Sequence, residues 1–392
     1  MSKYIYVLII SVVIFKPGFS QSNINPDISL IGTFNTTTNF NNGSPDKGKL
    51  IFETPQMELF VESYLNPFAR AAGNISYEDG EFGVEELYAN IVRGLPLDMQ
   101  IKAGKYLVGF GKLNTVHPHA WPFLNRPLYQ QIYFSPEGFN DIGFNFSFVL
   151  PTETFYSSLD LGIFKGDGIG RAEDPAASVF KDIRGNTPVF VGRLGSFFSI
   201  GDFSNFEAGL DASYGIHAKS DITSADNNGQ SVAKSLNYTY AGIDFKYKYK
   251  PDKYTSLTIQ GEGILNHRQV LRKENFSANE VNDVIKTINT PGAFIYFDYV
   301  FNMQYSVGLK YDFTYGIVGD APAYNTLSND DQNKTRAVSG WIGYYPVEET
   351  LAIRLGYQHM FFNLANSLSI EPDNTVMLQI LFSLGPHKAH PF

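Results

Sequence analysis

The stretch from Met303 to Tyr315 reads MQYSVGLKYDFTY, in which apolar side chains alternate strictly with small, polar or charged ones. Successive side chains of a β-strand point to opposite faces of the sheet, so this stretch predicts a strand with one apolar and one wet face. The apolar row consists of Met303, Tyr305, Val307, Leu309, Tyr311, Phe313 and Tyr315. The ranges 205–217 and 238–250 repeat the pattern.

The length of these segments indicates a membrane barrel. Each is 13 residues long, whereas a tilted strand crosses a bilayer in roughly 9 to 11 residues and soluble strands average about half of that. Aromatic residues near the ends of the apolar row are typical of strands that meet lipid headgroups. A secreted β-sandwich or β-helix remains the structural alternative, and it predicts shorter strands.

Sixteen candidate strands follow one another along the chain, with tight and long connections in alternation. An even strand number with short turns on one side predicts a closed antiparallel transmembrane β-barrel, all-β in class, with both termini periplasmic. The predicted strands are 27–35, 54–65, 67–77, 82–92, 98–108, 139–150, 155–165, 188–200, 204–217, 237–250, 254–266, 292–301, 303–315, 335–346, 350–361 and 374–384.

The first twenty residues have the composition of a secretory signal peptide. Lys3 precedes an apolar run from Tyr4 to Phe15, and small residues end the segment at Ser20. The run is shorter than the roughly 20 residues that a membrane helix needs. The predicted organisation is a signal peptide (1–20), an outer-membrane barrel (21–384) and a C-terminal periplasmic tail (385–392).

Composition narrows the class of protein further. The 392 residues include 33 Phe, 24 Tyr and no Cys, and 18% are charged, with a formal net charge of −9. This content of aromatic and apolar residues is too high for a disordered chain. An acidic chain is a poor match for nucleic acid, so no nucleic-acid partner is expected.

The segment Ile101-Lys102-Ala103-Gly104-Lys105-Tyr106, followed by Gly109-Phe110-Gly111-Lys112-Leu113-Asn114, resembles the strand and glycine turn that begin the third long loop of bacterial porins. The whole mature chain resembles the sixteen-stranded bacterial outer-membrane porins and, more loosely, the phosphate-selective porin O and P group. This resemblance implies a water-filled channel, often a homotrimer, that is narrowed by an inward third loop. Phosphate selectivity in that group relies on clustered lysines, whereas this loop, 109–138, offers only Lys112 and Arg126.

The terminal Phe392 resembles the aromatic residue by which the barrel-assembly machinery recognises outer-membrane proteins. Gly385-Pro386 interrupts the strand pattern before it, so Phe382 is the alternative signal. The expected partners are therefore this machinery, outer-membrane lipid and small hydrophilic solutes.

The face opposite the apolar rows collects acids and bases in similar number, which predicts a charged pore lining with a field across it. The alternative is that these charges only solvate the wall and pair with one another. The residues are Glu58, Glu62, Arg70, Glu86, Lys102, Arg193, Glu207, Asp211, Asp244, Lys246, Lys248, Glu262, Lys310, Asp312 and Arg354.

The third loop is rich in proline and aromatic residues, which predicts a rigid element packed inside the barrel. Its candidate constriction residues are Lys112, His117, His119, Trp121 and Arg126. His117 and His119 have a spacing found among ligands of zinc, copper or nickel, and His387 and His390 form a second pair. Loop packing is the favoured interpretation, so no metal or cofactor is assigned.

The sequence contains none of the common hydrolase, metalloprotease or phosphate-binding loop motifs, so it is not expected to be an enzyme. The function expected is a passive water-filled channel for small hydrophilic solutes or ions. A substrate-specific channel, or a closed structural or binding barrel whose long loops engage a surface partner, remains open. A TonB-dependent receptor is disfavoured because it needs about 22 strands and a plug domain.

Overall fold

A computed structural model gives the structure of the protein. It describes residues 26–42, 44–78, 80–169, 188–223, 231–277, 280–316, 318, 332–347, 350–364 and 371–385. The predicted signal peptide and the tail that carries His387, His390 and Phe392 lie outside the described residues.

Sixteen long strands form one antiparallel sheet, and the first of them pairs with the last, so the sheet closes into a barrel. A two-residue strand, β2, pairs with β1 at its edge. The strands are β1 Asp27–Asn39, β2 Ile51–Phe52, β3 Gln56–Asn66, β4 Ala69–Glu78, β5 Glu81–Ile91, β6 Gln100–Leu107, β7 Asn140–Leu150, β8 Tyr156–Phe164, β9 Val189–Ile200, β10 Ser204–Thr223, β11 Ser231–Tyr249, β12 Ser256–Ser277, β13 Glu280–Phe301, β14 Tyr305–Tyr315, β15 Lys334–Val347, β16 Leu351–Asn363 and β17 Asp373–Leu384.

The predicted closed antiparallel barrel is confirmed, and each of the sixteen predicted spans overlaps one long strand. Asp27 of β1 and Leu384 of β17 lie at the same end of the barrel, which we call the terminal end, and the opposite end is the loop end. Closure gives each of the sixteen long strands that the structure describes a hydrogen-bonded neighbour on both sides.

Four strands, β10 to β13, are much longer than the sequence predicted. Residues 218–223 and 231–236, and residues 267–277 and 280–291, were expected to be loop but form paired strand arms: Thr223 pairs with Ser231, and Ser277 pairs with Glu280. The prediction was wrong because it followed hydrophobic alternation, which signals a half-buried or lipid-facing strand. Backbone pairing needs no such alternation and continues beyond the apolar band.

Two turns also differ from the prediction. At the loop end, Glu78 pairs with Glu81, so only two residues separate β4 from β5 where a long loop was expected. At the terminal end, Asn302 and Met303 have positive φ angles of 54° and 58°. These angles reverse the chain, so β14 begins at Tyr305 and Met303 belongs to the turn.

The alternation of side chains divides the barrel into an outer and an inner face. Leu309 of β14 is 61% exposed on the outer face, whereas its neighbours Gly308 and Lys310 are buried on the inner face. Near the terminal end, stacked outer-face rings form a short aromatic belt whose members are Tyr299, Phe301, Tyr305 and Tyr344. Lipid headgroups are the usual environment of such a belt.

Helical segments are short and lie in connections. They are η1 Pro96–Asp98, η2 Leu113–Thr115, η3 Pro118–Ala120 and α1 Leu128–Tyr133. Among the described residues, no helix has the length and apolar character to cross a membrane.

Candidate functional site

The connection between β6 and β7, residues 108–139, is the third loop, and it is anchored to inner-face side chains of distant strands. Tyr129 Oη donates a hydrogen bond of 2.8 Å to Glu262 of β12, and the Leu113 amide donates to the same carboxylate at 2.5 Å. Lys310 of β14 donates to the Asn125 carbonyl oxygen at 2.6 Å. These bonds hold the loop against the wall formed by β12 to β14.

Further bonds attach the loop to other parts of the barrel. Arg354 of β16 donates to the Trp121 carbonyl oxygen at 2.8 Å. Tyr240 of β11 donates to the Tyr133 carbonyl oxygen at 3.1 Å. Because these strands lie well apart around the barrel, the loop crosses the interior and does not project from it.

Aromatic packing fills the space between the third loop and the β13–β15 wall. Phe123 of the loop packs against Phe294, Tyr296 and Trp341, with ring centroids 6.3, 5.1 and 6.0 Å apart. Phe123 is only 2% exposed. Pairs of aromatic rings at these distances add to the stability from buried apolar area, so this cluster fixes the position of the loop.

The Asn114 side chain joins the two ends of the loop. Its Nδ2 donates to the carbonyl oxygens of Val108 and Phe139 at 2.7 and 3.0 Å, and its Oδ1 accepts from the Phe139 amide at 2.9 Å. These three hydrogen bonds hold Val108 and Phe139 close together. Breaking any of them would leave a buried polar group without a hydrogen bond, which is costly.

On its opposite side the loop contacts β3 and β5 through its two histidines. His117 Nε2 lies 2.7 Å from Glu86 Oε1, and His117 Nδ1 lies 3.4 Å from Glu85 Oε2 and 3.5 Å from Glu58 Oε2. His119 Nδ1 lies 3.1 Å from Glu58 Oε1. We call Glu58, Glu85, Glu86, His117 and His119 the His–Glu cluster.

A β-bulge brings two consecutive glutamates to the inner face. Asn74 of β4 pairs with Glu86, but the next residue, Ile75, pairs with Val84, which leaves Glu85 as the extra residue of β5. Such a bulge re-aims one side chain. Glu85 is absent from the predicted inner-face residues because strict alternation points it outward. The available signal was the spacing of Val84 and Leu87, two outer-face residues that are separated by two glutamates.

Burial and the nearby carboxylates shift the pKa values of two basic side chains of the loop, His117 and Arg126. Burial alone lowers the pKa of His117, but hydrogen bonds with Glu85 and Glu86 and the negative charges of Glu58 and Glu86 outweigh it and raise the pKa to about 10. Burial lowers the pKa of Arg126 to about 10. Both side chains are therefore cationic at neutral pH.

The remaining constriction candidates are held by the wall or by one another. Lys112 forms an ion pair with Glu207 of β10. Trp121 is buried, and its indole Nε1 donates to the Val116 carbonyl oxygen at 2.9 Å. The Arg126 guanidinium lies over the Trp121 ring, 5.1 Å from its centre.

Several predicted pore-lining charges pair with one another along the wall. Arg193 Nη1 lies 2.7 Å from Asp211 and 2.6 Å from Asp244. Arg70 and Glu62 pair at 2.8 Å near the terminal end. The Lys102 ammonium lies over the rings of Tyr88 and Tyr106, 3.7 and 4.1 Å from their centres.

Seven of the fifteen predicted pore-lining residues are buried on the inner face, largely where the third loop covers them. The sequence pattern gives their face of the sheet but not this cover, which depends on how the loop folds. The buried residues are Glu86, Asp211, Asp244, Glu262, Lys310, Asp312 and Arg354.

Two cavities lie on either side of the loop. The loop-end cavity, of about 580 Å³, is lined by five carboxylates together with Arg126, His117 and His119; the carboxylates are Glu58, Glu78, Glu81, Glu85 and Glu137. The terminal-end cavity, of about 320 Å³, is lined by Lys246, Lys248, Arg354 and Asp298 among others. His119 lines both cavities.

The structure resembles solved bacterial outer-membrane proteins, among them porins. OprB of Pseudomonas putida matches with a TM-score of 0.56 at 11% identity, over 92% of this chain and 94% of OprB. The anion-selective porin of Comamonas acidovorans matches with a TM-score of 0.54 at 10% identity, over 92% of this chain and 100% of that porin. OmpT of Vibrio cholerae matches with a TM-score of 0.53 at 8% identity, over 92% of this chain and 97% of OmpT. These likenesses show a shared barrel fold.

Sequence comparison adds one relative. A protein of Aquifex aeolicus (strain VF5), described as uncharacterized, is 26% identical over 399 residues, which cover 95% of this chain and 81% of that protein. No family model matches the chain.

Proposed function

We propose that the protein is a bacterial outer-membrane channel through which small hydrophilic solutes or ions diffuse passively. The observation that carries this proposal is the pair of cavities on either side of the third loop, both lined by His119. A loop that crosses a barrel without filling it makes a constriction, and the solute passes beside the loop. In this proposal His119 lies at the narrowest point.

The outer face supports the location in the membrane. Leu210, Ile243 and Leu309 lie near the middle of their strands and are 56%, 61% and 61% exposed. Large apolar side chains exposed all around a soluble protein would cause aggregation, whereas lipid tails accommodate them. We therefore propose that the outer face contacts outer-membrane lipid. We also propose that residues 1–20 direct secretion, that both termini lie in the periplasm, and that the barrel-assembly machinery recognises β17 and Phe392. Trimeric assembly is part of the same proposal.

The charges of the two cavities differ along the channel axis. Carboxylates dominate at the loop end, whereas Lys246, Lys248 and Arg354 face Asp298 at the terminal end. A permeating ion of either sign meets one attractive and one repulsive region, and their fields partly cancel over the channel length. We therefore propose weak selectivity between cations and anions.

The closed structural or binding barrel remains the second candidate, because the third loop is bound to the wall at many points. Planar-bilayer recording separates the two. We expect stepwise conductance from the purified full chain, with a small reversal potential across a salt gradient. H119W, which adds bulk between the cavities, should lower the unit conductance. H359W is the matched control, because His359 lies on the outer-facing row of β16. Folded protein that inserts but gives no steps supports the closed barrel and contradicts the channel.

A further inference from the structure

We propose that the His–Glu cluster binds one divalent transition-metal ion of the Zn²⁺ class, with His117 Nδ1, Glu58 Oε2 and Glu85 Oε2 as its protein ligands. This site joins the third loop to β3 and β5. It does not depend on the barrel being open.

The distances within the cluster match those of a metal coordination shell. Zinc lies roughly 2.0–2.2 Å from nitrogen and carboxylate oxygen ligands, so two ligands of a tetrahedral ion lie about 3.3–3.5 Å apart. His117 Nδ1 lies 3.4 Å from Glu85 Oε2 and 3.5 Å from Glu58 Oε2. All three ligand atoms lie within 4.8 Å of one another, so small side-chain adjustments complete the shell.

Groups around these ligands hold them as the outer shell of a metal site does. The second nitrogen of His117, Nε2, is bound to Glu86 at 2.7 Å, and a carboxylate in this place orients a metal-binding imidazole and makes it more basic. Asn74 Nδ2 donates to Glu58 at 3.0 Å and to Glu85 at 3.2 Å. His119 contacts the other oxygen of Glu58. All three ligands are therefore positioned by neighbours.

Charge and ligand type indicate the class of ion. Three carboxylates meet at His117, and the Arg126 guanidinium, which lies over Trp121, offsets part of their charge through its interaction with Glu85. A divalent ion that replaces the proton on His117 Nδ1 compensates the remaining negative charge. An imidazole ligand favours zinc, nickel or copper over magnesium and calcium, which prefer shells made only of oxygen.

The site is accessible from the loop-end cavity. Glu58, Glu85 and His117 all line this cavity of about 580 Å³. Water or a solute group can therefore occupy the fourth coordination position, as in other sites with three protein ligands. An ion held there connects a loop residue to two wall strands, so binding should also stabilise the position of the loop.

Calorimetric titration of the full chain tests the proposal. The protein carries no polyhistidine tag, is folded in detergent and is treated with a chelator before ZnCl₂ is added. We expect one Zn²⁺ per chain for the wild type and no saturable binding for H117Q or E85Q. E86Q should weaken binding by roughly 10- to 100-fold, as expected for an outer-shell carboxylate. H359Q, on the outer-facing row, should bind as the wild type does, and MgCl₂ should give no saturable binding.

The proposal is overturned if the folded wild type binds no Zn²⁺, or if H117Q and E85Q bind it with wild-type affinity. Heat-dependent migration on gels verifies that each variant is folded, and E85D, which keeps a carboxylate, should retain binding if E85Q loses it through ligand removal. Zn²⁺ binding without bilayer conductance rejects the channel and keeps the metal site. Conductance without Zn²⁺ binding rejects the metal site and keeps the channel.

Discussion

The Lys310 ammonium on β14 donates a 2.6 Å hydrogen bond to the backbone carbonyl oxygen of Asn125 at the centre of the third loop. Lys310 also pairs with Asp312 at 3.1 Å, and both side chains are fully buried. This lysine is thus a direct link between the barrel wall and the loop that crosses it.

Replacing this link should release the loop while the barrel stays closed. K310M removes the bond to Asn125 and leaves Asp312 buried without its partner, a change that costs roughly 3–5 kcal/mol at buried ion pairs. We expect faster trypsin cleavage after Lys112, a red shift of Trp121 and Trp341 fluorescence, and larger or noisier unit conductance. K49M is the matched control, because Lys49 is exposed. An unchanged cleavage rate in folded K310M contradicts this role of Lys310.

A charged side chain introduced on the outer face should destabilise the barrel, whereas the same charge on the inner face should be tolerated. Leu309 lies near the middle of β14, and an arginine at the centre of the lipid band costs roughly 2–4 kcal/mol in membrane barrels. We expect L309R to lower the folded fraction and the heat stability of the barrel in lipid. T258R, which adds the same charge on the wall of the terminal-end cavity, should fold normally and lower the unit conductance. Equal folding of both variants would argue against lipid contact at Leu309.

In chelator-treated protein, loop attachment should depend on pH through His117. The pKa of His117 is raised from 6.5 to about 10 by the groups that face it, namely Glu85 and Glu86 on β5 and Glu58 on β3, with His119 beside it in the loop. A raised pKa stabilises the folded state fully below about pH 6.5, and this contribution is lost as the pH rises through about 10. We expect the wild-type advantage in thermal stability over H117Q to be largest at about pH 6.5 and to shrink steadily towards pH 10.5.

Tryptophan fluorescence during heating measures this difference, because Trp121 lies in the loop and Trp341 lies against it. H359Q serves as the matched histidine replacement away from the carboxylates and should follow the wild type. A constant difference between wild type and H117Q from pH 7 to pH 10.5 would show that the His117 charge does not hold the loop.

The sequence predicted the sixteen strands well because lipid contact imposes a strict rule on every second side chain. Leu309, Ile243 and Leu210 face outward as their alternation indicated. The rule gives no information where the strands leave the apolar band, and for this reason the paired arms that end at Thr223–Ser231 and Ser277–Glu280 were expected to be loops.

The candidate site was only partly predictable. His117 and His119 were recognised by their spacing, and Glu58 and Glu86 by their inward face. Their meeting was not predictable, because Glu58, Glu86 and His117 lie on three segments whose approach depends on how the third loop folds. Glu85 was missed because one extra residue in β5 reverses its direction, and no propensity of a single residue specifies a bulge.

The sequence by itself determined the barrel, its strand count and the face of most side chains, since these follow from a period of two residues imposed by lipid on one side and water on the other. Only the tertiary structure decided which inward charges are covered, which carboxylates surround His117 and where His119 meets both cavities. Those outcomes depend on contacts between residues far apart in the chain, such as Lys310 with Asn125 and Glu262 with Tyr129. Local sequence patterns do not specify contacts between residues that are so far apart in the chain.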